Sequence, residues 1–322
     1  MNNFADRLLG RINEMNNPTV MGLDPTIDYI PEFIRTKYLK ECSGNTHDAT
    51  ANAREATGNA IREFNFRLID SVKGIIPAIK PQFAFYEMFG IEGIKALKDT
   101  IDYAKKAGMI VIADAKRNDI GTTATAYAKS ILGTTEFIDT SVSPIFDADA
   151  VTVNCYLGID GILPFIKECE AGGKGIFILV RTSNPSAVDF QDILTANGNP
   201  FYQVVALKVK EWGRTVIGES GYSSVGAVVG ATWPEQAAQL RIEMNDSIIL
   251  VPGYGAQGGS ADAAAVNFNS DGKGAIVNAS RSLMCAYKKD GFSPEQFEEA
   301  TYMEAIRMRT DLCDAIEKKK GK

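Results

Sequence analysis

Histidine is nearly absent: the 322 residues contain one, His47, in a polar stretch beside Cys42. A Ser-His-Asp triad is thereby excluded, and His47 has no converging partners for zinc, which needs three or four ligands. Proton transfer then falls to Lys, Asp, Glu, Tyr or Cys. Cysteine is sparse as well. Cys42, Cys155, Cys169, Cys285 and Cys313 are odd in number, scattered and without a CxxC pair, which fits reduced thiols in a cytoplasmic protein. No apolar run approaches the ~18 residues that a membrane span needs. The opening residues read as a surface helix with the stripe Phe4, Leu8, Ile12 and Met15, closing the bottom of the domain, and not as a targeting signal. Positive charge is in deficit: the net charge of -6 argues against nucleic acid or an anionic membrane as the main partner, while leaving room for a local basic pocket. Internal repeats and low-complexity tracts are lacking.

What the chain does have is regular alternation. Apolar, β-branched runs at Thr19–Leu23, Ile75–Ile79, Met109–Ala113, Ala150–Asn154, Gly175–Val180, Val225–Gly230, Ile248–Val251 and Ala275–Val277 read as eight strands. Amphipathic stretches of helical length lie between them, such as Gly93–Ala107, Ile159–Ala171 and Trp233–Met244. Strands this apolar are buried on both faces, hence parallel and covered by helices. An α/β chain with eight such units most simply closes into a TIM barrel, here expected as a single domain over residues 1–322. Thr232-Trp233-Pro234-Glu235 and Ser293-Pro294-Glu295-Gln296 each offer a capping box. Two insertions depart from a minimal barrel, about 31–58 after the first strand and about 182–224 after the fifth. Long loops on the catalytic side serve as lids or contacts, yet loop entropy grows slowly enough that idle insertions survive too. The second, opening on Arg181-Thr182-Ser183-Asn184-Pro185, is the more suggestive of function.

Chemistry concentrates at strand ends. After Met109–Ala113 comes Asp114-Ala115-Lys116-Arg117-Asn118-Asp119-Ile120-Gly121-Thr122-Thr123. Alternation puts Asp114 and Lys116 on one face, with Asp119 a turn further on, where Thr122 or Thr123 can cap the next helix. Acidic residues at a helix start are by themselves ordinary. The company is not: the second strand runs into Lys80 and the first into Asp24, and C-terminal strand ends are where parallel α/β proteins place catalysis. Following the seventh strand, Val251-Pro252-Gly253-Tyr254-Gly255-Ala256-Gln257-Gly258-Gly259 can present backbone N–H groups and the Gln257 amide to an anion. Following the eighth, Asn278-Ala279-Ser280-Arg281 brings a guanidinium to the same place, the recurrent phosphate site of such barrels. Gly253, Gly255 and Gly258 also spell GxGxxG, but a dinucleotide fold wants that motif early, with an acidic residue about 20 positions on. A tight glycine turn with no ligand is the remaining reading.

Asp114 to Gly121, with Lys80 before it and Pro252 to Gly259 plus Arg281 after it, resembles orotidine 5'-phosphate decarboxylase. The Asp-Ala-Lys-Arg-Asn-Asp-Ile-Gly string, the Arg-Thr-Ser-Asn-Pro stretch and the long insertions are similar to the longer, type 2 bacterial form. The resemblance runs from about Phe4 to Arg281 and implies decarboxylation of orotidine 5'-phosphate to UMP and CO2, the last step of UMP synthesis, with no metal or organic cofactor. It implies that Lys116 donates a proton to C6 of the pyrimidine, that Asp114 flanks the substrate carboxylate, and that Lys80 holds Asp114 and a ribose hydroxyl. Asp119 and Thr123 are expected to cross a homodimer interface into the partner's site. Asp24 and Thr123 match ribose contacts, Ser183 a pyrimidine-edge contact, and Pro252, Gln257 and Arg281 the phosphate loop and grip. One position departs: the shorter enzymes carry Gly before the phosphate arginine, and Ser280 stands here.

The physical logic agrees with the resemblance. Loss of CO2 from C6 leaves an electron pair that the ring cannot readily delocalise, so charge placed in advance must lower the barrier. An ammonium fixed at C6 and kept charged by Asp114 and Asp119 does so, then delivers the proton. Two alternatives remain at this stage. One is a sugar-phosphate aldolase or synthase on the same barrel, with Lys80 or Lys116 as Schiff base or Asp114 as metal ligand. The other is a non-catalytic nucleotide-binding protein, for which the full Lys80, Asp114, Lys116, Asp119 row has no evident use.

Overall fold

A computed structural model describes residues 3–44, 48–255, 259–289 and 291–321. Eight parallel strands close into a barrel: β1 (Thr19–Leu23), β2 (Ala78–Pro81), β3 (Ile110–Arg117), β4 (Ala150–Val153), β5 (Gly175–Arg181), β6 (Ser223–Val229), β7 (Ser247–Val251) and β8 (Ala275–Ala279). Each pairs with its sequence neighbours, and β1 closes the ring on β8 through Thr19↔Val277 and Met21↔Ala279. The TIM barrel expected from the strand count is the architecture found.

Alternation along each strand separates two buried layers. Val20, Ala78, Ile112, Ala150, Phe177, Leu250 and Ile276 fill the barrel interior, whereas Met21, Ile79, Val111, Val151, Ile178 and Val277 pack outward on the helices. The helix Phe4–Met15 closes the bottom. Phe4 packs edge-on against Phe177 with ring centroids 5.9 Å apart. Gly175 makes room for it, since a Cβ there would sit 2.2 Å from the Phe4 ring. Burying one such phenylalanine stabilises the barrel floor by ~2–3 kcal/mol.

Several boundaries differ from the sequence reading, each for a local reason. β2 begins at Ala78 and not Ile75: the N–H groups of Ile75 and Ile76 bond back to the Val72 carbonyl, and Pro77 has no N–H to give. β3 continues through the charged residues as far as Arg117. Thr122 and Thr123 do not cap the next helix, which starts at Gly121 behind Ile120 with no side-chain cap. The Ser293 capping box forms, but the Thr232 box does not, because Thr232 and Trp233 bond to the loop after β5 instead. Both insertions are substantially helical. The first holds Glu32–Glu41 and the start of the long helix Ala49–Val72; the second holds the short helices Pro185–Ala187 and Val188–Gln191 before Phe201–Trp212.

Candidate active site

The inward layer of the barrel turns polar one step above its apolar floor. Two residues beyond Ala78, Ile112, Ala150 and Ile276 stand Lys80, Asp114, Thr152 and Asn278, and all four line a cavity of about 780 Å³ at the C-terminal ends of the strands. Strand periodicity alone thus aims these side chains at one point.

Asp114 is the hub. Its Oδ2 accepts from Lys80 Nζ at 2.7 Å and Gln82 Nε2 at 3.0 Å. Its Oδ1 accepts from Lys116 Nζ at 2.6 Å and Thr152 Oγ1 at 2.8 Å. Burial alone would push the Asp114 carboxyl up, but the two ammonium groups outweigh it and hold the group well below the usual carboxylate range. Burial likewise works against charge on Lys80, and the carboxylates of Asp114 and Asp24 outweigh it, so its pKa is raised. The Lys116 side chain keeps 47% of its surface exposed and stands in the cavity. Its backbone is left-handed, with φ +47°, a conformation that costs a non-glycine residue ~1–3 kcal/mol.

These shifts fix a pH dependence. The depressed Asp114 carboxyl contributes stability that is complete above its unfolded value of 3.8 and is lost as pH falls through the lower folded value. Raised Lys80 contributes stability present below 10.5 and lost as pH rises through its folded value. Asp114→Asn leaves Lys80 buried without its carboxylate, so we expect ~3–5 kcal/mol of lost stability near neutrality. Its urea midpoints should also fall less steeply than wild type below pH 3.8. Parallel acid limbs for the two proteins would deny Asp114 this role.

Other expected site residues line the same cavity. Asp24 presents a buried Oδ1 with no hydrogen-bond partner beside Lys80. Ser183 sits in the mouth on a loop fixed from below by Arg181, which is fully buried, stacks 4.2 Å from the Trp233 ring centre and pairs with Asp192 at 3.1 Å. Trp233 Nε1 donates to the Thr182 carbonyl at 3.0 Å. Gly230 is required beneath, since a Cβ would lie 2.9 Å from that of Ser183. Pro252, Gly253 and the exposed Arg281 complete the far wall. Gly253 and Gly255 turn through positive φ, and Tyr254 OH donates to Asp311 Oδ2 of the C-terminal helix at 2.5 Å. Following the seventh strand of a closed barrel, this loop has no place in a dinucleotide fold. Gln257, like His47, lies outside the described residues. Ser280 is accommodated by β1: a Cβ on Gly22 would meet its Oγ at 1.9 Å, so the side chain occupies space that glycine leaves open.

Asp119 and Thr123 stand apart from this group. Neither lines the cavity; Asp119 Oδ1 accepts from the Ile120 N–H at 2.8 Å, and Thr123 is exposed. Beside Asp119, Ile120 and Leu157 expose apolar surface, Tyr156 next to Leu157 in the chain is exposed too, and the helix Ile159–Gly172 touches Asn118 and Asp119 at Gly161. Gln82 and Thr152 were not expected from the sequence, and both bind Asp114. Among the described residues no group of three or more His, Cys, Asp or Glu is placed to hold a metal ion, and no helix is long and apolar enough to cross a membrane.

The model of the Orotidine 5'-phosphate decarboxylase / HUMPS family matches residues 52–290. An orotidine 5'-phosphate decarboxylase of Rhodopirellula baltica is 41% identical over 310 residues, covering 96% of this chain and 97% of that one. One from Caldicellulosiruptor saccharolyticus is 38% identical over 316 residues, 98% and 100% of the two chains. The crystal structure of a putative orotidine-monophosphate-decarboxylase from Toxoplasma gondii superposes with a TM-score of 0.77 at 28% identity, over 99% of both chains.

Proposed function

This chain belongs to the orotidine 5'-phosphate decarboxylase family and converts orotidine 5'-phosphate to UMP in pyrimidine biosynthesis; from that premise we propose that Lys116 is the acid that protonates C6. The C6–carboxylate bond breaks, CO2 departs without the bonding pair, and the pair left on C6 takes a proton from the Lys116 ammonium. The resulting amine regains its proton from solvent. The observation that carries this reading is the 2.6 Å ion pair between Lys116 and a carboxylate already anchored by buried Lys80. An ammonium held in advance against a rigid carboxylate stabilises developing negative charge without reorganising. Asp114 faces the departing carboxylate and Lys80 holds Asp114 and a ribose hydroxyl. Charge on Lys80 speaks against its serving as the neutral amine of a Schiff base, the step an aldolase would need. The ammonium supplies the positive charge locally, so turnover is expected to be insensitive to EDTA.

The remaining assignments follow the cavity wall. Asp24, with its unpartnered buried oxygen, accepts from ribose; Ser183 reads the pyrimidine edge; Pro252, Gln257 and Arg281 belong to the phosphate grip. Thr123 and Asp119 act in the neighbouring subunit of a cytoplasmic homodimer, an arrangement supported by the exposed Ile120 and Leu157 beside Asp119. Arg281→Ala is expected to lower kcat/KM for orotidine 5'-phosphate about 10–100-fold, the worth of charge-assisted hydrogen bonds. Turnover of the phosphate-free nucleoside orotidine should not change. Following both substrates by their loss of absorbance tests this, and an equal loss on both would remove Arg281 from the phosphate site.

A further inference from the structure

We propose that Thr152 is a positioning residue that sets where the Lys116 ammonium stands, an inference that rests on Lys116 being the proton donor. The strand ladder between β3 and β4 is interrupted at this point. Ala113 pairs with Val151 and Arg117 with Val153, so Asp114, Ala115 and Lys116 together face one residue, Thr152. Such a bulge bends the strand and re-aims a side chain. It also deprives Lys116 of a backbone partner, and the Thr152 hydroxyl replaces that partner: Lys116 N–H donates to Thr152 Oγ1 at 3.0 Å.

The direction of each bond is forced. A backbone N–H can only donate, so the single hydroxyl proton of Thr152 goes to Asp114 Oδ1 at 2.8 Å, the oxygen that also receives Lys116 Nζ. A closed circuit results, running from the Lys116 backbone through the threonine hydroxyl to the carboxylate and back to the Lys116 ammonium. Thr152 is 1% exposed, so water does not compete for these bonds. The left-handed φ of Lys116 needs such a restraint, because an L residue released from it relaxes to a negative φ and swings its side chain away.

Thr152→Val keeps the shape and removes both bonds, whereas Thr152→Ser keeps the hydroxyl. The valine variant should lose about 10²-fold in kcat, the scale of a reacting group displaced by about 1 Å. KM and the affinity for UMP should stay within about twofold, since neither phosphate nor ribose contacts involve Thr152. Serine should recover most of the lost kcat. A valine variant with wild-type kcat, or a serine variant as slow as valine, would overturn the proposal. So would a valine loss carried wholly by KM. Should Lys116→Ala turn over normally, the donor assignment itself fails; an inactive Lys116→Ala beside a fully active Thr152→Val defeats Thr152 alone.

Discussion

Lys116→Ala is expected to bind UMP as wild type does and to decarboxylate orotidine 5'-phosphate about 10⁴-fold more slowly or worse, because one ammonium performs two tasks. A positioned general acid contributes ~10²–10⁴-fold and preorganised charge at a developing anion a further ~10²–10³-fold. The variant should still fold. Truncation at a side chain 47% exposed opens no core cavity. Asp114 retains three of its four donors, Lys80, Gln82 and Thr152. A stopped assay with product separation, run beside a UMP binding titration, reads both quantities. Near-normal turnover would end the assignment of Lys116 as donor, and lost UMP binding would show a damaged site.

The second large effect is a recovery. Lys116→Ala and Asp119→Ala homodimers should each be nearly inactive, and mixing them should restore activity. If Asp119 serves the neighbouring site, a heterodimer has one site with both defects and one with neither, so random exchange between symmetric dimers returns about a quarter of wild-type activity. If Asp119 serves its own chain, every site keeps a defect and nothing returns. The position of Asp119 motivates the experiment: it lines no part of its own chain's cavity and lies beside exposed Ile120 and, across Gly161, exposed Leu157. Absence of recovery, with heterodimers demonstrated by mass, would place Asp119 in its own subunit or outside the reaction.

Much of this was legible in the sequence because the barrel is periodic. Fully buried strands read as apolar runs, and a period of two carries Lys80, Asp114 and the floor beneath them to the same side. The same period, continued along Ala150–Val153, singles out Thr152, yet one threonine in a β-branched run gives no chemical signal until Asp114 is seen across from it. Gln82 is hidden for the same reason. The helix Glu32–Glu41 reads as a polar insertion because it buries only Ile34, and a single buried position makes no apolar stripe of the kind that marks Phe4–Met15. Thr232 carries a sound capping signature that tertiary contact overrides, its hydroxyl donating to the Ser183 carbonyl at 3.4 Å. Tyr254 and Asp311 are 57 positions apart, a distance at which local pattern says nothing.

Gly22 and Ser280 carry an implication for how such a site can drift. Because the serine fills the volume above the glycine, an alanine at 22 would meet both its Oγ and its Cβ, and glycine at 280 would remove both contacts, leaving only the Asn278 Oδ1, 3.0 Å away, to give way. Bulk at 22 therefore requires bulk at 280 to be given up first, and the Asn278 amide to move with it.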